Sequence, residues 1–365
     1  MRVCFCFSNF HLAHITGQAG LMMQLIQKTK NHSSHVFVIS NDLRSEQFTK
    51  DGIDYYLIKG LGDFKTYFSN FLQIVHFIKK IKPDVIHVNG ILMTIYIWII
   101  TCFLRIPFFS LVSETIDNIN PLYQNFYYLA SKSCKYIFVT SNFLKKQLLE
   151  IGVEKKKIKV VRIGLDEKYQ INYRKSTENY DTFYFGDSTR DRGFDYVVGL
   201  AQELKNLKFL ISIRYQYQDC KSELETAKQL SNVKLMFYPY KESLQSLITQ
   251  SKLVVLPYRW MLIRPPISLL ESMALGRCVI TSKMAVNEEV IQNNKNGILS
   301  DFTNLDQVAS QITYLIKSTF YRLNSFHKDG IIFLKLNRLS NFSYPHKINP
   351  TFNRIKFSCR HTHFF

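Results

Sequence analysis

The sequence predicts an α/β protein built from two successive doubly wound domains, each with a parallel sheet that has helices on both faces. Short apolar runs rich in Val, Ile and Phe alternate along the chain with segments of helical period, and the runs themselves do not alternate polar and apolar residues. Strands of this kind are typical of parallel sheets, because helices cover both faces. A length of 365 residues suits two domains of ordinary size.

The first predicted domain covers residues 1–166. Its clearest helix is residues 66–82, where apolar residues recur at the i, i+3, i+4, i+7 spacing and Pro83 ends the pattern. Ser141 or Asn142 is placed to cap the helix at 143–150. The other predicted elements are strands at residues 1–7, 35–40, 85–88, 108–112, 136–140 and 158–163, and helices at 17–30 and 91–104.

A polar stretch without a clear period, residues 167–181, is interpreted as a linker, and the alternation restarts over residues 182–316. Past residue 316 the periodicity is lost, and residues 317–365 are basic and rich in aromatic side chains. We interpret this tail as a non-native extension, with binding to nucleic acid or to an anionic bilayer as the alternative. The strands of the second domain are predicted at 182–185, 209–213, 233–237, 253–256, 278–281 and 297–300, with a closing helix at 305–316.

Composition narrows the classes of partner and of compartment. The chain has 47 Lys and Arg against 28 Asp and Glu, a formal charge of +19, which favours polyanionic partners. Seven cysteines with no CxxC pair exclude a disulfide scaffold and the common zinc ribbons, and indicate a cytoplasmic protein. The apolar stretch 91–112 is divided by Arg105 and Pro107, so a buried helix and strand are expected there instead of a membrane span.

Three segments carry a family resemblance. They are residues 140–166 (TSNFLKKQLLEIGVEKKKIKVVRIGLD), residues 185–195 (FGDSTRDRGFD) and residues 265–282 (PPISLLESMALGRCVITS). Together they resemble glycosyltransferase family 4, the group 1 glycosyltransferases of the GT-B fold. The resemblance implies two Rossmann-like domains facing each other across a cleft. It also implies transfer of a sugar from a nucleotide-diphosphate donor with retention of configuration, without a metal or other cofactor.

The segment 185–195 resembles the Gly-rich diphosphate loop of the family. Gly186 after a strand would let the backbone approach a phosphate, and Arg192 would supply a positive charge to the leaving group. The family usually has Arg directly after that Gly, where this chain has Asp187, so Arg190 is expected to substitute. An ordinary strand-to-helix turn is the alternative.

The segment 265–282 resembles the donor-binding helix of the family. A proline at the start and the unpaired N–H groups of the first turn, at Ile267 and Ser268, form an anion site. By resemblance, Glu271 accepts hydrogen bonds from the donor ribose and Glu289 also faces the substrate. Glu271 is the second Glu of the family's Glu-x7-Glu motif, whereas the first would fall at Ile263.

Two further candidates come from the first domain. Gly17 stands where the family's N-terminal glycine loop faces the donor phosphates. Glu114 or Asp117, after the strand at 108–112, could act as a base on the acceptor hydroxyl. A helix cap or a surface carboxylate is the alternative for both acids.

The predicted function is therefore a glycosyltransferase of polysaccharide, lipid-linked oligosaccharide or glycolipid assembly. The expected partners are a nucleotide-sugar donor, a carbohydrate or lipid-linked acceptor and an anionic membrane surface on the cytoplasmic side, with no nucleic acid. A non-catalytic relative that binds sugar nucleotides is the alternative, because Asp187 and Ile263 depart from the family pattern. A nucleic-acid-binding protein is a further alternative, supported only by the net charge and the tail.

Overall fold

A computed structural model describes residues 1–7, 26–27, 29, 35–42, 46–59, 64–117, 119–162, 165, 178–238, 243–259 and 264–318 of the chain. These residues form two sheets, and all neighbouring strands run parallel except one pair at an edge of the first sheet. The predicted fold class of two doubly wound α/β domains is confirmed. The predicted tail, residues 317–365, lies outside the described residues except for its first two.

The first sheet consists of β1 (Arg2–Phe7), β2 (His35–Asp42), β3 (Glu46–Lys50), β4 (Ile53–Lys59), β5 (Val85–Asn89), β6 (Phe108–Val112), β7 (Ile137–Val139) and β8 (Ile158–Val160). Their order in the sheet is β3-β4-β2-β1-β5-β6-β7-β8. Successive residues of β1 contribute to two different apolar clusters, because side chains alternate between the faces of a strand. Both faces of the sheet are therefore buried.

The described helices that pack on the first sheet are α1 (Phe64–Ile81), α2 (Ile91–Leu104), α3 (Pro121–Ser133) and α4 (Asn142–Glu150). All four contribute to one apolar cluster together with Cys4 and Cys6 of β1. The side chain of Ser141 accepts a hydrogen bond from the Leu144 N–H at 3.1 Å and caps α4, as the sequence predicts. Ile26 and Phe109 belong to the cluster on the opposite face.

The second sheet is wholly parallel and consists of β9 (Tyr180–Ser188), β10 (Phe209–Gln216), β11 (Val233–Phe237), β12 (Ser251–Leu256), β13 (Cys278–Ser282) and β14 (Ile298–Ser300). Its order is β11-β10-β9-β12-β13-β14. The chain therefore leaves β9 toward β10 on one side and later returns to β12 on the other. The direction of winding reverses between β9 and β12, at the centre of the sheet.

The described helices of the second sheet are α5 (Phe194–Glu203), α6 (Lys221–Gln229), α7 (Leu244–Thr249), α8 (Ile267–Ala274), α9 (Ala285–Glu288) and α10 (Leu305–Lys317). Three apolar clusters pack them against the strands. Most predicted strands and helices are present with bounds that shift by one to three residues.

The sequence analysis missed the hairpin of β3 and β4 and the helix α3, and each omission has a physical reason. β3 is an exposed edge strand in which Phe48 alone is partly buried. Its sequence therefore lacks the alternation of apolar and polar residues that predicts a half-buried strand. α3 buries Tyr127, Ala130 and Ser131 while Leu122, Phe126 and Leu129 are exposed, so its apolar residues do not mark one buried face.

The apolar segment near residue 100 is divided as predicted. α2 ends at Arg105, whose φ of 55° lies in the left-handed region, and β6 begins three residues later. Fourteen residues of helix rise about 21 Å, whereas the apolar core of a bilayer is about 30 Å thick. Among the described helices, none is long and apolar enough to cross a membrane.

His87 is a titratable group inside the first sheet. It lies on β5 with 1% of its surface exposed, and its ring is 5.2 Å from the Phe5 ring and 6.2 Å from the Phe138 ring, measured between centroids. Burial lowers the pKa of His87 to about 4. The imidazole is therefore neutral in the folded protein at neutral pH.

This burial predicts acid sensitivity. In the unfolded chain His87 becomes protonated below pH 6.5, whereas in the folded chain it stays neutral down to about pH 4. The free energy of unfolding therefore decreases as the pH falls from 6.5 to about 4. Replacing His87 with Phe should remove about 2 kcal/mol of the loss in unfolding free energy between pH 7 and pH 5. Urea unfolding of both proteins at the two pH values measures this, and equal losses would contradict the assignment.

Candidate functional site

The candidate site lies at the carboxyl ends of β9 and β12, where the winding of the second sheet reverses. Ligands of open parallel sheets bind at such a position, because the loops that leave the two strands diverge and open a crevice. Here the loop after β9 and the loop after β12 are also joined directly. The Arg259 N–H donates to the Asp191 carbonyl at 3.0 Å.

Gly193 makes the approach of these two loops possible. Its φ is 67°, and a Cβ atom placed on it would lie 1.8 Å from the Pro257 carbonyl oxygen. A side chain at this position would therefore overlap the backbone that follows β12. The sequence analysis did not single out Gly193, because its neighbour Pro257 is 64 residues away in the chain.

Arg192 precedes this glycine and lies beside the start of α8. Its guanidinium carbon is 5.5 Å from the centre of the Tyr258 ring, and Tyr258 is 5% exposed. The Tyr258 hydroxyl is hydrogen-bonded to the Ser268 hydroxyl in the first turn of α8. Burial raises the pKa of Tyr258, so the phenol is neutral and links Arg192 to α8.

The N-terminus of α8 is available to an anion. Pro266 is the N-cap and forms no side-chain cap, so no side chain of the cap residue occupies the first-turn N–H groups at Ile267 and Ser268. Glu271 lies one turn further along α8 and is partly buried. Its charge acts on Tyr258, which places Glu271 in the same group of side chains.

Arg264 belongs to this group as well, and the sequence analysis did not assign it a role. It lies two residues before Pro266 and is half-buried. Burial, together with the positive charge of Arg192, lowers the pKa of Arg264 to about 10. The charge of Arg192 thus acts on Arg264, and Arg264 belongs to the loop that leads into α8.

Asp187 does not place an uncompensated negative charge in the site. Its two carboxylate oxygens accept from Nε and an Nη of Arg214, at 3.0 and 2.9 Å. The pair is bidentate, and Asp187 is 8% exposed. The repulsion that the negative charge of Asp187 would exert on a phosphate is thus largely cancelled by Arg214 of β10.

Arg190, the predicted substitute for the missing cation, is held by acidic residues. It donates to the Asp219 carbonyl at 3.3 Å and to the Glu223 carboxylate at 3.1 Å, and Asp195 lies 3.8 Å away. A contact with phosphate would require these interactions to break. Gly186 lies at the end of β9, where a Cβ would be 3.0 Å from the Tyr184 hydroxyl, and Gly17 lies outside the described residues.

Glu289 connects the second domain to the first. Its carboxylate accepts from the backbone N–H groups of Asn142 and Phe143, each at 3.0 Å. Those N–H groups belong to the first turn of α4, where the helix dipole favours a negative charge. The structure therefore places Glu289 on the N-terminus of α4, and its role toward a substrate stays a prediction.

The two candidate bases of the first domain contact their own domain. Glu114 accepts from the Ile91 N–H at 2.5 Å, at the start of α2, and Asp117 accepts from the Gln147 amide. Glu114 thus matches the helix-cap alternative that the sequence left open, and Asp117, which is exposed, matches the surface-carboxylate alternative. Catalysis by either carboxylate stays a prediction.

Comparisons with known proteins identify the class. The model of the glycosyl transferases group 1 matches residues 166–330, and the model of Glycosyltransferase Family 4 matches residues 15–169. The chain belongs to this family of glycosyltransferases and has the GT-B fold. No curated protein sequence matches it significantly.

Several solved structures share the fold of this chain. HepE from Anabaena, in complex with UDP, has a TM-score of 0.74 and 14% identity over 92% of this chain and 95% of its own. A glycosyltransferase from Rickettsia africae has a TM-score of 0.73 and 17% identity over 92% and 93%. The lipopolysaccharide outer core galactosyltransferase WaaB has a TM-score of 0.69 and 15% identity over 92% and 95%.

The close approach of Pro257 to Gly193 predicts that a side chain at residue 193 destabilises the folded protein. Gly193→Ala should lower the unfolding midpoint and weaken nucleotide binding, because strain at positive φ adds to an overlap with backbone. Gly152→Ala is the matched control, since Gly152 has a φ of 89° but a Cβ there would be 3.3 Å from the Tyr128 side chain. The control should lose only about 1–2 kcal/mol. Calorimetry that finds equal losses would contradict the predicted role of the contact.

Proposed function

We propose that this glycosyltransferase moves a sugar from a nucleotide-diphosphate donor to a carbohydrate or lipid-linked acceptor, with retention of configuration. The pathway we propose is the assembly of a polysaccharide, a lipid-linked oligosaccharide or a glycolipid. The observation that supports the donor class is the cationic Arg192 beside the N-terminus of α8, at the reversal of winding. Both features attract a diphosphate.

The reaction creates negative charge on the leaving diphosphate as the glycosidic bond breaks. Arg192 stabilises that charge, and its orientation is maintained by the Tyr258 ring and the closely packed loop at Gly193. Glu271 accepts hydrogen bonds from the ribose, whose charge does not change. In this proposal, positive side chains and the helix N-terminus act where other transferases use a metal ion.

UDP is the first nucleotide to examine, because HepE was crystallised with UDP and with UDP-glucose. A panel that also contains ADP, GDP and dTDP makes the search independent of this choice. A nucleoside diphosphate that binds the folded state raises the unfolding midpoint. The nucleotide that does so defines the donor for kinetic work.

The proposal predicts different kinetic effects for the two central residues. Arg192→Ala should lower kcat of donor hydrolysis by about 30- to 1000-fold, the loss of one preorganised electrostatic contact of about 2–4 kcal/mol. Glu271→Ala should raise KM with a smaller effect on kcat, because ribose binding is equal in the ground and transition states. Release of nucleoside diphosphate from the sugar nucleotide is the measurement.

Exposed residues of the same types provide the controls. Arg162→Ala and Glu225→Ala remove exposed charges and should leave both constants within twofold of the wild type. If Arg192→Ala and Glu271→Gln also leave the rates within twofold, these residues are scaffold and the proposed donor site is wrong. Donor binding without hydrolysis or transfer would select the non-catalytic alternative.

We also propose that the first domain docks on an anionic membrane through the α2–α3 surface, defined by Phe103, Leu122, Phe126, Leu129 and Lys132. Phe103 is 82% exposed, and α2 contains no charged residue. α2 and α3 pack against each other, so the exposed apolar side chains belong to adjacent helices. An apolar face bordered by cations is typical of proteins that lie on anionic lipid.

Basic residues next to this surface support the proposal. The segment 145–159 contains six lysines and two glutamates. It lies beside α3, because Lys157 Nζ donates to the Ser131 carbonyl at 3.1 Å. Each basic residue near an anionic bilayer contributes about 1 kcal/mol to binding.

Co-sedimentation with vesicles tests the docking surface. Binding should be stronger to vesicles that contain phosphatidylglycerol than to pure phosphatidylcholine, should weaken as salt rises, and should decrease severalfold in Phe103→Glu. Tyr314→Glu is the matched control, because Tyr314 is an exposed aromatic residue of α10 in the second domain. Equal binding to both vesicle types, or equal losses in both variants, would overturn the proposal.

A further inference from the structure

Glu289 follows the short helix α9, and the chain around it is packed with the donor site. Val290 and Ile291, the next two residues, are buried in the apolar cluster that also contains Tyr258 and Leu270. Tyr258 is the ring that contacts the cation of the donor site, and Leu270 belongs to α8. Because protein interiors are closely packed, a shift of residue 289 would disturb this cluster. The position of Glu289 is therefore fixed relative to the donor site.

Hydrogen bonds at the ends of two strands strengthen this connection. The buried Asn287 side chain donates to the Ser282 carbonyl at 2.9 Å, at the end of β13. The Thr281 hydroxyl donates to the Leu256 carbonyl at 2.8 Å, at the end of β12. The chain after β12 leads directly into the loop of the donor site. α9 is therefore held by the same strand ends from which the donor site is built.

In the first domain, Gln147 connects α4 to the loop after β6, residues 113–117. Its buried side chain uses both ends of the amide, since the oxygen accepts from the Ile116 N–H at 3.2 Å and the nitrogen donates to the Asp117 carboxylate. Leu144 and Leu148 of α4 belong to the same apolar cluster as Ile116. α4 and the 113–117 loop therefore form one packed unit of the first domain.

Glu289 joins the unit around the donor site to the unit around α4. One of its carboxylate oxygens accepts from the Asn142 N–H and the other from the Phe143 N–H, each at 3.0 Å. These bonds are charge-assisted and lie at the positive end of the α4 dipole, so they favour a carboxylate over a neutral acceptor. Packed and hydrogen-bonded groups thus lead from the donor site to the loop that contains the candidate bases Glu114 and Asp117.

We propose that Glu289 is a positioning residue: by binding the start of α4, its carboxylate sets the position of the 113–117 loop relative to the donor site. The inference rests on the proposed function, since it takes the 113–117 loop as the acceptor side of the reaction. In this role Glu289 contacts protein and not the substrate. The loop is in place for transfer only while the two domains are joined at this contact.

Hydrogen–deuterium exchange of the ligand-free protein tests the connection without any substrate. Glu289→Ala should speed exchange severalfold in peptides that cover residues 141–147 and also in peptides that cover 113–117, because amide exchange follows local opening. Glu288→Ala is the matched control, since Glu288 is the preceding residue and is exposed, and it should change neither peptide. Faster exchange at 141–147 alone would show a purely local contact and overturn the inference, as would no change at either segment.

Gln147→Leu tests the connection from the first domain. The substitution keeps the side chain close in size but removes both hydrogen bonds to the loop, so exchange at 113–117 should again become faster. The double variant with Glu289→Ala should show little further change at 113–117, because residues that act through one path are not additive. Fully additive effects at 113–117 would overturn the inference.

Kinetics separate positioning from substrate binding. Water takes the place of the acceptor in donor hydrolysis, so Glu289→Ala should lower kcat about 10-fold while the affinity for the nucleoside diphosphate stays within twofold. Glu289→Gln should lie between the two proteins, because its amide retains one acceptor oxygen.

Two results would lead to different conclusions. Weaker nucleotide binding with an unchanged kcat in Glu289→Ala would make Glu289 a donor contact and overturn the inference, while the proposed function stands. Failure of the wild-type protein to bind any nucleoside diphosphate of the panel would refute the proposed function, whereas the exchange experiment would still decide whether Glu289 positions the 113–117 loop.

Discussion

The close contact between Gly193 and the Pro257 carbonyl is the constraint on which the site depends. It brings the loop after β9 against the loop after β12, and so brings Arg192 to Tyr258 and to the first turn of α8. A parallel sheet opens a crevice at its reversal of winding, but the sheet alone does not determine which side chains line the crevice. In this protein, a glycine at positive φ and a backbone oxygen determine that arrangement.

Several charged residues in the described part of the chain are bound by other groups of the protein. Asp187, Glu114 and Glu289 are bound respectively by an arginine, by the N-terminus of α2 and by the N-terminus of α4. Within the described residues, neither Arg192 nor Arg264 forms an ion pair with a carboxylate, and the charge of Arg192 acts on Arg264. A group of cations that the fold itself does not neutralise is suited to a ligand that brings its own negative charge.

Glu289 gives the two domains a defined electrostatic contact. Its carboxylate replaces part of the missing hydrogen bonding at the start of α4, while Ser141 occupies the next N–H group in the same turn. The helix of one domain is thus capped from both domains. A contact of this kind is compact and polar, so a change in the relative position of the domains would exchange it for water at little cost.

The sequence by itself determined the fold class, the family, the bounds of most strands and the position of the donor helix, because these depend on local period, capping residues and motif spacing. The roles of individual charges depended on tertiary structure. Asp187 and Arg214 are 27 residues apart, Glu289 lies 147 residues from Asn142, and Arg192 and Arg264 come from loops on different strands. Distances through space between such residues are set by strand order and loop contact. Only the folded chain therefore showed which of the described charges are paired within the protein.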